Sequence, residues 1–184
     1  MFRDSLVKIA TELNKRQIPY MVIGGQAVLL YGEPRLTKDI DITLGLGRDG
    51  FDEVKGMVHN LNLRILVDHP KEFVQKTMVL PVTDDKTGIR VDLIFSFSLY
   101  EKQAIARAKD VKLNRTVVKF ASLEDVVIHK VIAGRARDIE DVTSILLKNP
   151  DYDIKYINKW LKEFDQSLDK NFSAQFKKMI DEIK

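Results

Sequence analysis

Three aspartates lie in two stretches of the sequence that have the pattern of β-strands. Asp39 and Asp41 belong to D-I-D-I-T-L, and Asp92 belongs to I-R-V-D-L-I-F. The strand-forming residues in both runs predict strands at Asp39–Leu44 and Ile89–Phe95. Residues at i and i+2 of a strand share one face, about 6–7 Å apart. If the later strand pairs beside the earlier one, all three carboxylates can meet on the same face.

A cluster of three carboxylates suits divalent cations. Two unpaired charges ~5 Å apart at an effective dielectric of ~20 repel by roughly 3 kcal/mol, so the cluster needs cations or protonation. Mg²⁺ takes oxygen ligands, and two such ions can hold the attacking and leaving oxygens of a phosphoryl displacement. We therefore predict that Asp39, Asp41 and Asp92 are metal ligands for Mg²⁺ or Mn²⁺ and are the catalytic residues.

A glycine pair, Gly24 and Gly25, directly follows the short apolar run Tyr20–Ile23. The run predicts a buried strand, and glycine after it allows a sharp turn and a close approach to a ligand. The apolar residues 26–31 predict a short helix that begins at Gly25. The free N–H groups at its start suit an anion, so this turn is a candidate phosphate site.

Together these residues resemble the nucleotidyltransferase superfamily related to DNA polymerase beta. The family pattern is a hydrophobic residue, Gly-Gly or Gly-Ser, a spacer, Asp-x-Asp, and a third acid on a later strand. Here Ile23-Gly24-Gly25 is followed by thirteen residues, Asp39-Ile40-Asp41, and Asp92 in V-D-L-I. The residues R-L-T-K-D-I-D-I resemble the minimal and AbiEii-like toxin branch. The resemblance implies an α/β (α+β) fold, with a mixed sheet flanked by helices and a C-terminal helical segment.

The resemblance also implies an activity and its partners. The expected reaction transfers a nucleoside monophosphate from a nucleoside triphosphate (NTP) to an acceptor hydroxyl and releases pyrophosphate. The acceptor is left open among tRNA or other RNA, a protein and a small molecule. AbiEii-like relatives act as toxins, which adds a cognate antitoxin protein as an expected partner. By position, Gly24, Gly25, Thr37 and Lys38 are expected to bind the nucleotide, with Arg35 beside them.

The segment H-K-V-I-A-G-R-A-R-D-I-E-D resembles a second part of the AbiEii-like branch. Carried over by position, Lys130 matches a family lysine that contacts nucleotide phosphates, and Arg137 or Arg135 adds positive charge. Asp138 or Asp141 matches a later acid. A purely structural interpretation is also open, in which Asp138 caps the next helix and Arg137 pairs with Asp141 four residues on.

The run G-L-G-R-D-G at Gly45–Gly50 is a literal G-x-G-x-x-G, with Asp68 18 residues later. That is close to a dinucleotide fingerprint. The strand before it carries aspartates instead of a continuous apolar run, and acids around the next helix start would repel a pyrophosphate. An NAD-type dinucleotide-binding protein is therefore the weaker alternative. Another is a catalytically silent protein of the same fold that binds a nucleotide or a partner protein.

Length, net charge and composition limit the class of protein further. The 184 residues allow one domain or one with a small appendage, and the net charge of +3 excludes a strongly basic nucleic-acid coat. Without cysteine there are no disulfides or thiolate metal sites. No uncharged run approaches the ~18 residues of a membrane span, and no signal peptide is visible. We expect a cytoplasmic protein that does not enter a membrane.

The pattern becomes helical near Ala121. We predict a nucleotidyltransferase catalytic domain at 1–120 and a C-terminal helical subdomain at 121–184 that packs on it. Helices are predicted at 2–16, 51–61, 70–76, 99–109, 123–133, 139–147, 154–164 and 169–183. Further strands are predicted at 63–67, 78–82 and 115–120, with the last at a sheet edge.

Overall fold

The computed structural model describes residues 2–34 and 36–183, and these residues divide into two compact units. The first unit contains residues 2–26 and 36–121, and the second contains residues 27–34 and 122–183. A short piece of the N-terminal chain therefore belongs to a unit built otherwise from the C-terminal third. The sequence pattern does not indicate that residues 27–34 belong to the second unit.

The first unit is built around a mixed sheet, to which the described residues contribute seven strands. The strands are β1 (Tyr20–Ile23), β2 (Asp39–Leu44), β3 (Arg64–Ile65), β4 (Val79–Asp84), β5 (Ile89–Phe95), β6 (Lys109–Leu113) and β7 (Thr116–Phe120). Their order across the sheet is β3-β4-β5-β2-β1-β7-β6. β2 pairs in parallel with β5 and β1 with β7, and the other neighbours are antiparallel.

The two central strands β2 and β5 alternate between a core face and a polar face. Ile40, Ile42 and Leu93 have exposed fractions of 0–1%, so they belong to the core of this unit. Because successive strand residues point to opposite faces, the aspartates between them are directed away from that core. Burial of the apolar face therefore determines which side of the sheet carries the acids.

Nine α-helices occur among the described residues. They are α1 (Phe2–Lys15), α2 (Gly24–Tyr31), α3 (Phe51–Asn60), α4 (Pro70–Thr77), α5 (Leu99–Ala106), α6 (Leu123–Ala133), α7 (Ala136–Lys148), α8 (Ile154–Leu168) and α9 (Phe172–Ile183). The mixed sheet flanked by helices confirms the predicted fold class. None of the helices in residues 2–34 and 36–183 has the length and apolar character that crossing a membrane requires.

The second unit is held together by apolar helix faces and a buried polar link. Val127 on α6, Ile145 on α7, and Leu161 on α8 are fully buried, as is Phe176 on α9. Helical spacing of apolar residues produces these faces, as the sequence predicts.

The polar link joins α6 to α8. The Tyr156 hydroxyl donates a hydrogen bond of 2.9 Å to Asp125, whose other carboxylate oxygen accepts one of 2.6 Å from Ser122. Buried polar groups that are satisfied in this way help to fix the packing of the helices.

Several element boundaries differ from the predictions. The helix predicted at 99–109 ends at Ala106, and Lys109–Leu113 forms β6. β6 and β7 make an antiparallel hairpin, so β7 is not the edge strand that the sequence predicts. The strand predicted at 63–67 is reduced to the two residues of β3. In each case pairing with a neighbouring strand decides the outcome, and local propensity does not.

Candidate active site

The pairing of β2 with β5 brings two of the predicted acids together. Asp41 lies directly opposite Asp92 in the parallel register, and Asp39 lies opposite Arg90. Residues directly opposite each other on neighbouring strands point to the same face, as do residues at i and i+2. Asp39, Asp41 and Asp92 therefore share one face of the sheet, and Arg90 shares it with them.

Gly24 brings the backbone directly against the Asp41 carboxylate. β1 pairs antiparallel with β2, so the end of β1 lies beside the start of β2, with Ile23 opposite Asp41. Gly24 has φ +63°, a left-handed conformation that favours glycine. A Cβ atom at this position would lie 2.0 Å from the Asp41 Oδ2 atom. The backbone conformation favours glycine, and any side chain here would displace the Asp41 carboxylate.

The helix α2 begins at this same turn. It starts at Gly24, one residue earlier than predicted, and Gly25 follows within its first turn. The N–H groups of a first helical turn have no partner within the helix and carry a partial positive charge. The start of α2 thus offers anion-binding groups beside Asp41, which is what a triphosphate requires.

The loop between α2 and β2 holds the other predicted nucleotide-binding residues. Thr37 is buried, and its hydroxyl oxygen accepts a hydrogen bond of 2.6 Å from the Gln26 side chain. This bond ties the loop to the first turn of α2, and the sequence reasoning did not include Gln26. Lys38 is exposed beside Asp39. Arg35, also predicted to flank the nucleotide, lies outside the described residues.

Arg90 is a member of this cluster that the sequence reasoning missed. Its Nε atom donates a hydrogen bond of 2.9 Å to Asp92 Oδ1. That bond chiefly raises the pKa of the Arg90 guanidinium; burial opposes it, and the charges of Asp92, Asp39 and Asp41 raise the pKa further. The i, i+2 rule that places Asp39 with Asp41 also places Arg90 with Asp92, so the signal was present in R-V-D.

The three carboxylates have the right chemistry for a divalent cation, although they are not already arranged around one. Carboxylate oxygens on one face are the hard donors that Mg²⁺ and Mn²⁺ take. Across residues 2–34 and 36–183, no group of three or more His, Cys, Asp or Glu side chains is positioned to hold a metal ion. The donor set therefore fits the ion, and the side chains must turn toward one another to bind it.

Lys130, predicted to contact phosphate, is buried in the second unit. Its ammonium lies 2.6 Å from Asp138 Oδ1 and 2.9 Å from Asp141 Oδ2. These two ion pairs join α6 to α7. Arg135 adds a bond of 2.6 Å to Asp138 Oδ2. Burial raises the pKa of Asp138, but the bonds from Arg135 and Lys130 outweigh it and hold that pKa below its ordinary value. Arg137, the other predicted phosphate contact, is exposed at the start of α7.

The Gly45–Gly50 segment lacks the setting that a dinucleotide fingerprint needs. It forms a loop and a single 3-10 turn (Arg48–Gly50) before α3. The next strand, β3, is separated from β2 by β4 and β5, so no pair of adjacent parallel strands encloses α3. A dinucleotide site of this type lies between such adjacent strands, so the geometry gives this alternative no support.

Several solved structures have a fold similar to that of this chain. ANT(2'')-Ia in complex with adenylyl-2''-tobramycin has a TM-score of 0.62 at 15% identity, over 90% of this chain and 98% of that one. An antigenic nucleotidyltransferase-like protein from Paracoccidioides brasiliensis has a TM-score of 0.55 at 16% identity, over 90% and 88%. The lincosamide antibiotic adenylyltransferase LnuA, with lincomycin bound, has a TM-score of 0.50 at 13% identity, over 72% and 89%. The fold is therefore that of a nucleotidyltransferase.

A match to a sequence family then gives the identification. Residues 4–184 match the family described as "Nucleotidyltransferase of unknown function (DUF6036)", and the chain belongs to that family. A search of curated proteins finds no match. The resemblance to the nucleotidyltransferase superfamily is thus confirmed, while the AbiEii-like branch stays a prediction.

Proposed function

We propose that the protein transfers a nucleoside monophosphate from an NTP to an acceptor hydroxyl in a reaction that depends on Mg²⁺ or Mn²⁺. The observation that carries the proposal is the register of β1, β2 and β5. It puts Asp41 beside Asp92 and against the backbone of Gly24, where the helix α2 begins. Membership of a nucleotidyltransferase family and the similar folds support the same class of reaction.

Each residue of this face has a proposed role. The N–H groups at Gly24 and Gly25 and the ammonium of Lys38 bind the triphosphate, as anions bind at a helix start. Asp39, Asp41 and Asp92 would hold two divalent cations, which when bound would neutralise phosphate charge and activate the acceptor hydroxyl.

Asp92 is also proposed to accept the hydroxyl proton as a general base. The acceptor oxygen then bonds to the α-phosphorus while the bond from that phosphorus to pyrophosphate breaks. Thr37, Lys130 and Arg137 stay predicted nucleotide contacts, and for Lys130 that contact requires the loss of two buried ion pairs.

The acceptor is proposed to be a small hydroxylated molecule. Two proteins of similar fold were solved with adenylyl-2''-tobramycin and with lincomycin, and both ligands are small molecules. A net charge of +3 does not favour an extended RNA surface. Transfer to tRNA, other RNA or a protein, a toxin role, an antitoxin partner and a cytoplasmic location all stay predictions from the sequence.

The test is a transfer assay with each α-labelled NTP, Mg²⁺ or Mn²⁺, and three acceptor pools: hydroxylated small molecules, total RNA and protein. We expect label on one pool, pyrophosphate release, and loss of both with EDTA. Asp41→Asn should be inactive, whereas Asp85→Asn, which removes an exposed carboxylate paired with Arg64, should be active. Transfer that continues at the wild-type rate in the Asp41 variant would contradict the proposal.

A second candidate function is nucleotide binding without turnover. It is favoured by one observation, the hydrogen bond that engages Asp92 with Arg90. It predicts binding of an NTP in the presence of Mg²⁺ with no pyrophosphate release in any acceptor pool. Equilibrium dialysis with labelled NTP, run beside the transfer assay, separates the two candidates.

A further inference from the structure

Arg90 lies where its charge acts on all three predicted metal ligands. It is opposite Asp39 on the neighbouring strand and two residues before Asp92 on its own strand. The register and the hydrogen bond to Asp92 place the guanidinium on the face that carries all three carboxylates. Without that charge, three carboxylates on adjacent positions of one face would repel one another by kilocalories per mole.

The bond between Arg90 and Asp92 has the properties of an exchangeable contact. Among the described residues, Arg90 makes one side-chain hydrogen bond, from Nε to Asp92 Oδ1. The Arg90 side chain is 55% exposed, whereas that of Asp92 is 18% exposed. An ion pair with one solvated partner contributes little to stability, so the guanidinium can leave into water at small cost.

Arg90 also engages one oxygen of the Asp92 carboxylate. A carboxylate oxygen that accepts from a guanidinium is turned toward that donor and is less available to a cation. The described residues contain no group of acids already positioned for a metal ion, although the register places the three side by side. The guanidinium therefore balances part of the negative charge that a bound divalent cation would balance.

We propose that Arg90 is a built-in counter-cation of this site, which pairs with Asp92 until a divalent cation is bound and then releases it. The inference rests on the proposed function, because it concerns the same carboxylates. It predicts that Arg90 opposes metal binding in two ways, by engaging a ligand and by placing a like charge beside the ion. Metal affinity of the protein alone should therefore increase when the guanidinium is removed.

The opposite role for Arg90 is positioning, in which its hydrogen bond holds Asp92 in the orientation that the metal needs. The two roles predict opposite signs. If Arg90 is a counter-cation, Arg90→Ala binds the metal more tightly; if it positions Asp92, the same variant binds it more weakly. Binding of Mn²⁺ without nucleotide is the measurement that separates them, since it does not involve phosphate contacts.

The experiment titrates the full chain with Mn²⁺ at constant ionic strength and follows the free ion by its electron paramagnetic resonance signal. We expect Arg90→Ala to bind about three- to fivefold more tightly than the wild type, which is the upper end of the effect of an exposed ion pair. Arg90→Lys, which keeps the charge, should remain within about twofold of the wild type.

Arg64→Ala is the matched control. Arg64 lies in the same row across the sheet, because it pairs with Thr83, which pairs with Arg90. It also pairs with an aspartate, Asp85, at 2.8 Å, but outside the group of three acids. Its removal should leave the Mn²⁺ affinity unchanged. An equal gain in affinity for both arginine variants would mean only a change in net charge and would overturn the proposal.

A second readout follows Arg90 in the wild-type protein. The ¹H–¹⁵N signal of its Nε–H group, assigned by its loss in Arg90→Lys, should shift on addition of diamagnetic Mg²⁺ as the bond to Asp92 is released. A signal that does not move while Mg²⁺ binds would overturn the proposal. The shift is measured in the wild-type protein, and a variant is needed only for the assignment.

The outcomes also separate this inference from the proposed function. If the wild type binds Mn²⁺, Asp41→Asn abolishes binding, and Arg90→Ala binds no more tightly, the counter-cation is wrong and the metal site stands. If neither the wild type nor Arg90→Ala binds Mn²⁺, both proposals fail. Binding by Arg90→Ala that greatly exceeds that of the wild type supports both.

Discussion

Two charged clusters of this protein use similar residues in different ways. On the sheet, three aspartates and Arg90 lie on one face, where the Arg90 and Asp92 side chains are 55% and 18% exposed. In the helical unit, Lys130 is buried between Asp138 and Asp141, with side chains that are 7%, 2% and 7% exposed. The cation of the first cluster is largely exposed, whereas the cation and both carboxylates of the second are enclosed.

The difference indicates what each cluster is able to do. Exposed charges that are incompletely balanced can exchange a side-chain partner for a ligand at little cost. A buried charge that loses its partner leaves the other charge uncompensated, which is strongly destabilising. We therefore expect substitutions on the sheet face to reduce activity with little loss of stability, and substitutions in the helical cluster to reduce stability first.

The largest effect is expected for Asp41→Asn. Asp41 lies between Gly24 and Asp92, and Asn removes the negative charge while keeping the shape of the side chain. We expect transfer to fall by at least about a thousandfold, or roughly 4 kcal/mol in the activation free energy. The measurement is single-turnover transfer of label, with urea unfolding beside it. A loss of stability that matches the loss of activity would contradict the expectation that substitutions on the sheet face reduce activity with little loss of stability.

Lys130→Met tests the other cluster. It leaves the buried Asp138 and Asp141 carboxylates without the ammonium between them, and we expect a loss of about 3 kcal/mol in the free energy of unfolding. Lys178→Met is the control, because it removes a lysine of the same unit whose pair with Glu182 is exposed. Urea unfolding measures both. If Lys130→Met were stable but bound NTP poorly, Lys130 would have the nucleotide role that the sequence predicts.

The sequence predicts the sheet face better than it predicts the helical cluster, and the reason is local spacing. A short apolar run predicts the bounds of β1, and strand patterns predict those of β2 and β5, as the structure has them. The i, i+2 rule places Asp39 with Asp41. The parallel pairing of β2 with β5 is a tertiary contact between strands about fifty residues apart. The sequence therefore predicts that Asp92 joins the other two acids only if the two strands pair. The same rule applied to R-V-D would have found Arg90.

The features that the sequence does not predict depend on tertiary contacts, which local sequence patterns do not reveal. Lys109–Leu113 has little apolar character, and it is a strand because β7 pairs with it across a turn in which Asn114 has φ +57°. Lys130 and Asp138 come together because two helices meet at Gly134, which has φ +62° and ends α6. The membership of residues 27–34 in the second unit likewise depends on packing.

A smaller loss is expected for Gly24→Ala, which tests whether the close approach of Gly24 to Asp41 matters for activity. The added Cβ atom would meet Asp41 Oδ2 at 2.0 Å and displace that carboxylate. We expect transfer to fall about a hundredfold, since misplacement by about 1 Å has effects of that size. Gly88→Ala is the matched control, because Gly88 has φ +69° with open space around it. The conformational strain, roughly 1–2 kcal/mol, is common to both variants.

The smallest effect, and the one that depends on pH, is expected for Asp138→Asn. Its pKa in the folded protein lies below the ordinary value of 3.8, so the ionised carboxylate stabilises the fold above that value. Asn keeps an acceptor oxygen for Arg135 but loses the charge beside Lys130. We expect a loss of about 2 kcal/mol in the free energy of unfolding at pH 7.

The sign of the pH dependence separates a charge effect from a packing effect. As the pH falls below 3.8 and through the folded pKa, the wild-type carboxylate is protonated and its advantage over Asn disappears. Urea unfolding at pH 7 and pH 3 should therefore give a difference that shrinks at the lower pH, whereas the exposed Asp151→Asn control shows little difference at either. A difference that is equal at both values would mean that the shape of Asp138, and not its charge, stabilises the junction of α6 and α7. Packing, and not charge, would then stabilise the cluster of Lys130, Asp138 and Asp141. The two clusters would differ only in how deeply their side chains are buried.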